Sequence, residues 1–102
     1  MDPPSSQFSD ITASALEWFN VKHEARESAL KSSREIIRRS ANAIRAVHRK
    51  EMDKAKGMTA ETEAIVNVIQ ERLKDHPDLY FTGFVQDAMK EHAEACIFYS
   101  FI

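Results

Sequence analysis

Three carboxylates recur along one short apolar stretch, FVQDAMKEHAEACIF at residues 84–98. Asp87, Glu91 and Glu94 are spaced four and three residues apart, which places them along one face of a helix. The rest of that helix is apolar over most of its circumference, a pattern typical of a buried helix. Because a buried carboxylate is costly unless it is paired or bound to a cation, this acidic row calls for an explanation.

Three explanations of the acidic row stay open from the residues alone. Basic side chains could pack across the carboxylates, a divalent metal could bind them, or Asp87 and Glu91 could reach water at the edge of a groove. Glu91 and Glu94, at i and i+3, can place two oxygen ligands on one side of a metal, with further ligands from other helices. Mg²⁺ or Mn²⁺ suits such an all-oxygen set, and near a phosphate it activates water.

A row of arginines occupies the segment SREIIRRSANAIRAVHRK at residues 33–50. At helical pitch four of them share a sector of roughly 60° over about 22 Å. These four are Arg34, Arg38, Arg45 and Arg49. Since a guanidinium can donate two hydrogen bonds to phosphate oxygens, such a row can follow a nucleic-acid backbone.

The alternative is a solvated helix face held by intrahelical ion pairs. We assign Glu35 to Arg39, because an acidic residue four positions before a basic one is the favourable orientation. Arg49 has only Asp53, four positions after it, as an acidic residue at such a spacing. The other three arginines of the row receive no acidic partner in this assignment. Both interpretations of the arginine row stay open on the residues alone.

One long helix must carry the arginine row. Between about Ser9 and about Lys54 the sequence has neither proline nor glycine, and one apolar stripe runs from Ile11 to Val47. A helix of that length spans about 65 Å. We therefore expect it to need neighbours along its whole length, from a helical bundle or from other subunits.

Two shorter helices are predicted after the long one. Gly57 is a candidate C-terminal cap, and Thr59 is a candidate N-cap for a second helix that ends at residues 76–78. A third helix, which carries the acidic row, is predicted to begin near Leu79 and to run through Phe98 to the end. The expected fold class is all-α, a long-helix bundle of about three helices.

Composition limits the functional classes. The chain of 102 residues has a net charge of −2 and a single cysteine, Cys96. We expect one domain over residues 1–102, a flexible tail at residues 1–8, no internal disulfide and no transmembrane segment. Ile102 lies within an apolar run without a capping residue, so we expect the sequence to be the front part of a larger protein.

Two segments resemble the translin and translin-associated factor X family. They are SREIIRRSANAIRAVHR at residues 33–49 and YFTGFVQDAMKEHAEACIFYSFI at residues 80–102. The second is similar to a family signature in which Glu-x-x-Glu-Ala precedes an aromatic-rich run. That signature is closer to the factor X branch, which carries the catalytic acids, than to translin itself.

The resemblance implies a metal-dependent endoribonuclease that cleaves single-stranded RNA inside a hollow, roughly octameric helical particle. Glu91 and Glu94 would then be catalytic residues that bind Mg²⁺ or Mn²⁺, with Asp87 a further member of the catalytic set. The four arginines of the row would bind RNA. The alternatives are a non-catalytic module that binds single-stranded RNA or DNA, and a scaffold that only oligomerises.

The resemblance also implies partners and missing parts. Family members are roughly twice this length, and a later helix supplies further acidic residues, so the chain corresponds to the N-terminal half of a translin-like domain. Implied partners are further copies of the chain or a translin-like chain, and single-stranded RNA, but no membrane. The expected compartment is the cytoplasm, or the nucleus if the source is a eukaryote.

Overall fold

A computed structural model describes residues 4–101 of the chain, and the side chains of residues 7–101. Four helices follow one another: α1 (Pro4–His48), α2 (Met52–Leu73), α3 (Pro77–Tyr80) and α4 (Gly83–Ser100). No strand occurs between residues 4 and 101, so the all-α class is confirmed. Of the tail expected at residues 1–8, the first three residues lie outside the described part, and the helix already begins at Pro4.

The long helix ends earlier than expected, at His48 rather than near Lys54. Lys50 adopts a left-handed φ of 62°. Its amide donates to Val47 at 2.9 Å, and the amide of Glu51 donates to Ala46 at 2.9 Å. These two bonds are those of a Schellman motif, which closes a helix C-terminus, here without glycine. Residue types did not indicate this end, because lysine rarely takes the left-handed position.

The predicted break at Gly57 and Thr59 is wrong, because both residues lie inside α2. Gly57 does not have a positive φ, so it caps nothing. The Thr59 hydroxyl donates to the carbonyl of Ala55 at 2.8 Å, a bond within the helix rather than an N-cap. The helix begins instead at Met52, directly after the Lys50 turn.

The predicted third helix is divided in two. The single turn of α3 ends at Tyr80, and α4 begins at Gly83 rather than near Leu79. Between them Thr82 is extended, with φ −69° and ψ 155°. Its hydroxyl donates to the carbonyl of Leu79 at 2.6 Å, which stabilises this corner. The acidic row therefore lies on a separate helix of 18 residues.

The helices pack against one seam of α1. Its members repeat at alternating spacings of four and three, and most of them are small, so the backbones of α2 and α4 can approach closely. The seam consists of Ala29, Ser33, Ile36, Ser40, Ala43 and Val47, all of them buried. This confirms the second half of the predicted apolar stripe as core. The first half, from Ile11 to Trp18, is exposed instead.

Side-chain contacts fix the direction of each helix. Arg39 pairs with Glu61 at 2.8 Å, while Arg72 donates to Ser28 at 3.0 Å, so α2 runs antiparallel to α1. After α3, α4 returns parallel to α1. At the end of the bundle that holds α3, which we call the lower end, Lys22 binds Asp78 at 2.8 Å.

Beyond Lys22, residues 4–21 of α1 project away from the bundle; we call this segment the stalk. The molecule measures 75 × 18 × 16 Å, with a radius of gyration of 19.7 Å. A compact domain of this length would have a radius of gyration of about 13 Å. Among the described residues, no helix has both the length and the apolar character needed to cross a bilayer.

Candidate nucleic-acid and metal site

The acidic row lies on the flank of α4 that borders α1. Phe84, Glu91 and Phe98 are seven residues apart and so share one face of α4. The guanidinium of Arg26 lies 5.5 Å from the ring of Phe84, and the ring of His48 lies 4.8 Å from that of Phe98. Glu91 is halfway between these two contacts. It therefore lies level with the middle of α1, around residue 37.

The expected burial of the acidic row is wrong. Asp87 and Glu94 are exposed, and Glu91 is half-buried. The buried side of α4 is formed instead by Val85, Ala88 and Ala95. The apolar composition of α4 was misleading because the helices of the described residues that pack against it leave much of its circumference open, including Phe81, Ile97 and Phe101 at or beside its ends. Of the three explanations, access to water at a helix edge agrees with this geometry.

No basic side chain from another helix neutralises the acidic row within the described residues. Its one ion-pair contact is between Glu94 and Lys90 on the same helix, at 3.9 Å. Ion pairs of this exposed kind contribute little to stability. The arginines of α1 therefore do not pack across these carboxylates, as one explanation required.

The carboxylates meet only part of the requirement for a divalent metal. Glu91 and Glu94, one turn apart, offer the oxygen donors that Mg²⁺ and Mn²⁺ prefer. Yet within residues 4–101 no group of three or more His, Cys, Asp or Glu could hold a metal ion. The donor type fits and the donor number does not, so this chain alone presents an incomplete site.

The arginine row lies on the outer face of α1. At helical pitch it is roughly 170° around the helix from the buried seam. All four of its side chains are exposed. Arg49 follows the last residue of α1, but its amide still donates to the carbonyl of Arg45 at 3.1 Å, so the row continues to its end.

Some of these arginines have intramolecular partners that the sequence assignment missed. Glu35 accepts hydrogen bonds from Arg38 as well as from Arg39. These bonds, that from Arg38 foremost, hold the pKa of the Glu35 carboxyl below its ordinary value. Arg45 donates to the side-chain carbonyl of Asn42 at 2.8 Å.

The expected pair between Arg49 and Asp53 is absent from the ion pairs of the described residues. The reason is that the Lys50 turn separates Asp53, on α2, from the end of α1. Arg34 lines an open groove of about 880 Å³ between α1 and α2. Arg72 of α2 lies along the same groove, above an apolar floor that includes Ile65. This groove was not apparent in the sequence because it arises from packing between two helices.

The two rows lie close in height but remain separate. Glu91 is level with about residue 37 of α1, yet no ion pair between the rows occurs among the described residues.

A thiol and an imidazole also meet on α4. The sulfur of Cys96 lies 3.7 Å from Nε2 of His92, one turn earlier. Burial, together with the negative charge of Glu63, raises the pKa of the Cys96 thiol. A raised pKa keeps the thiol protonated near neutral pH, which does not suit a nucleophile.

No family model, curated protein or solved structure matches this chain. The resemblance to the translin and translin-associated factor X family therefore stays a prediction from the two sequence segments.

Proposed function

We propose that this chain is the RNA-binding part of a divalent-metal-dependent endoribonuclease subunit that acts on single-stranded RNA. The observation that carries the proposal is the exposed arginine row. It extends over about 22 Å of α1 on the side opposite the packed seam. Since the bundle does not use this face for packing, its charge is available to a ligand.

The existing partners of the arginines leave them accessible. Arg38 is exposed, and its pair with Glu35 is a surface ion pair, a kind that contributes little to stability. A phosphate can replace such a partner at small cost, because it also accepts two hydrogen bonds from one guanidinium. The asparagine partner of Arg45 is neutral and leaves its charge uncompensated.

The acidic row gives the proposal its metal component. Glu91 and Glu94 would hold Mg²⁺ or Mn²⁺ from one side, with Asp87 at the neighbouring position. When bound, such an ion supplies charge neutralisation and an activated water. The remaining ligands would come from a further chain of the same or a translin-like kind, in a homo-oligomer or hetero-oligomer.

A second candidate is a non-catalytic module that binds single-stranded RNA or DNA. It is favoured by one specific observation, the lack of any three-ligand metal group within residues 4–101. In that case the carboxylates only keep the α4 flank solvated and restrict bound nucleic acid to α1.

The experiment is cleavage of labelled single-stranded RNA, with Mn²⁺ or with EDTA, by the chain in the oligomer that supplies the remaining metal ligands. We expect cleavage only with Mn²⁺, and its loss in the variant Glu91→Ala/Glu94→Ala while RNA binding is retained. The control Glu71→Ala/Asp75→Ala removes two exposed carboxylates elsewhere and should leave cleavage unchanged. Cleavage that persists without Glu91 and Glu94 contradicts the metal assignment. Binding without cleavage under either condition supports the second candidate.

A further inference from the structure

The stalk exposes a continuous apolar face. Phe8 is 72%, Ile11 68%, Trp18 65% and Phe19 58% exposed. With Ala15 they fall in a sector of roughly 100° whose centre lies within about 30° of the buried seam. The same side of α1 is therefore packed inside the bundle and bare along the stalk.

The size of this face is at the upper end of what a single chain exposes. Three aromatic rings and one isoleucine at these exposures present roughly 400–600 Å², as large as the largest apolar patch on a typical monomer. A projecting helix of about 18 residues is also marginally stable in water without packing. Two such faces together would bury about 1,000 Å², near the lower end for a specific interface.

We propose that the stalk pairs in antiparallel fashion with the stalk of a second copy of this chain. The spacing of Phe8, Ile11, Ala15 and Trp18 is symmetric about position 13. In an antiparallel pair centred there, Phe8 of one copy faces Trp18 of the other, and Ile11 faces Ala15. Each contact then occurs twice, once in each direction between the two copies, as an isologous interface requires.

The length of the stalk agrees with the same register. Residues 4–21 extend about 27 Å, and their midpoint lies next to Ala13, the residue at the centre of that symmetry. Full overlap therefore brings the tip of each stalk to the lower end of the other copy's bundle. That end carries Phe81, which is exposed, directly after α3. If the two stalks slide past one another towards greater overlap, their tips meet the bundles. If they slide apart, aromatic rings lose their cover.

The charges of the stalk favour a second copy over a lipid surface. Between residues 7 and 21 the only charged side chains are Asp10 and Glu17. They lie roughly 140° away from the apolar face, so pairing brings no like charges into contact. Helices that lie on anionic membranes carry lysine and arginine on their polar face, which this segment lacks. The pairing is independent of nucleic-acid binding.

The first test is sedimentation equilibrium of the chain and of two charge-matched variants. We expect a dimer at micromolar to sub-millimolar concentration for the parent chain and a monomer for Phe8→Glu/Trp18→Glu. The control Ser9→Glu/Asn20→Glu adds the same charge on the opposite face and should remain dimeric. A monomeric parent, or a dimer that survives Phe8→Glu/Trp18→Glu, overturns the proposal, as does vesicle binding by a monomeric parent.

The second test fixes the register by oxidative cross-linking in a Cys96→Ala background. We expect a mixture of the single variants Ile11→Cys and Ala15→Cys to cross-link several-fold faster than either variant alone. A parallel pair would instead cross-link each variant with itself. Equal rates for the mixture and the separate variants contradict the antiparallel register.

Discussion

The amide of Lys50 donates to the carbonyl of Val47 at 2.9 Å, with Lys50 in the left-handed region at φ 62°. This relationship ends α1 and turns the chain back into α2, which sets the antiparallel packing that leaves the arginine row on the outside. This conformation costs a non-glycine residue about 1 kcal/mol or more.

Two substitutions should stabilise the fold, one that introduces a glycine at the Lys50 turn and one that removes the glycine at position 57. Lys50→Gly removes the backbone strain, and Gly57→Ala improves a helix-interior position where an added Cβ meets nothing within 4 Å. We expect each to raise the free energy of unfolding by about 0.5–1 kcal/mol in urea titrations. The control Lys54→Gly, inside α2, should lower it by about 1 kcal/mol. A destabilising Gly57→Ala would indicate that this glycine does cap a helix.

Removing two buried hydroxyls should also stabilise the bundle. The side-chain oxygens of Ser33 and Ser40 are buried in the seam without a hydrogen-bond partner. Ser33→Ala/Ser40→Ala removes their desolvation cost and improves helix propensity, so we expect a gain of roughly 1–3 kcal/mol and a Tm higher by several degrees. The control Ser14→Ala on the exposed stalk isolates the propensity effect. A double variant no more stable than this control would contradict the prediction.

The raised pKa of Cys96 predicts slow alkylation and a loss of stability in alkali. The unfolded thiol ionises near its ordinary pKa of about 8.5, whereas the folded thiol ionises at higher pH. Its contribution to stability is therefore fully present below a pH of about 8.5 and falls as pH rises above that value. Iodoacetamide should modify the folded chain more slowly than the urea-unfolded chain at a pH of about 8.5.

The matching control for this prediction is Cys96→Ala, which should remove that part of the pH dependence of the unfolding free energy. Equal alkylation rates in the folded and unfolded chain would show that the thiol is neither shielded nor shifted.

Much of the fold could be predicted because its signals are local. The absence of glycine and proline between about Ser9 and about Lys54 predicted one long helix, and the stripe through Ile36 and Val47 predicted its buried side. The end of that helix could not be predicted, because it depends on a lysine in a conformation that glycine usually provides. For the same reason Gly57 was the more plausible break on residue type alone.

The helix faces that carry the charged residues could be predicted from spacing, but the burial and the ion-pair partners of those residues could not. Helical spacing located both rows of charge correctly on one side of their helices. Whether Asp87 was buried depended on how many helices cover α4, and whether Arg38 was free depended on the geometry of Glu35. Both are properties of packing and side-chain conformation that a spacing rule does not contain.

Binding of single-stranded RNA as a function of salt tests the central claim most directly, through fluorescence anisotropy of the parent chain and of Arg38→Ala/Arg45→Ala. We expect the double variant to bind at least several-fold more weakly, with the slope of log K against log salt reduced by roughly 1.4, about 0.7 for each lost phosphate contact. The control Lys54→Ala/Lys74→Ala removes two exposed charges outside the row and should change neither quantity. Affinity and slope equal to those of the parent in Arg38→Ala/Arg45→Ala would contradict the assignment of the arginine row as the RNA-binding surface.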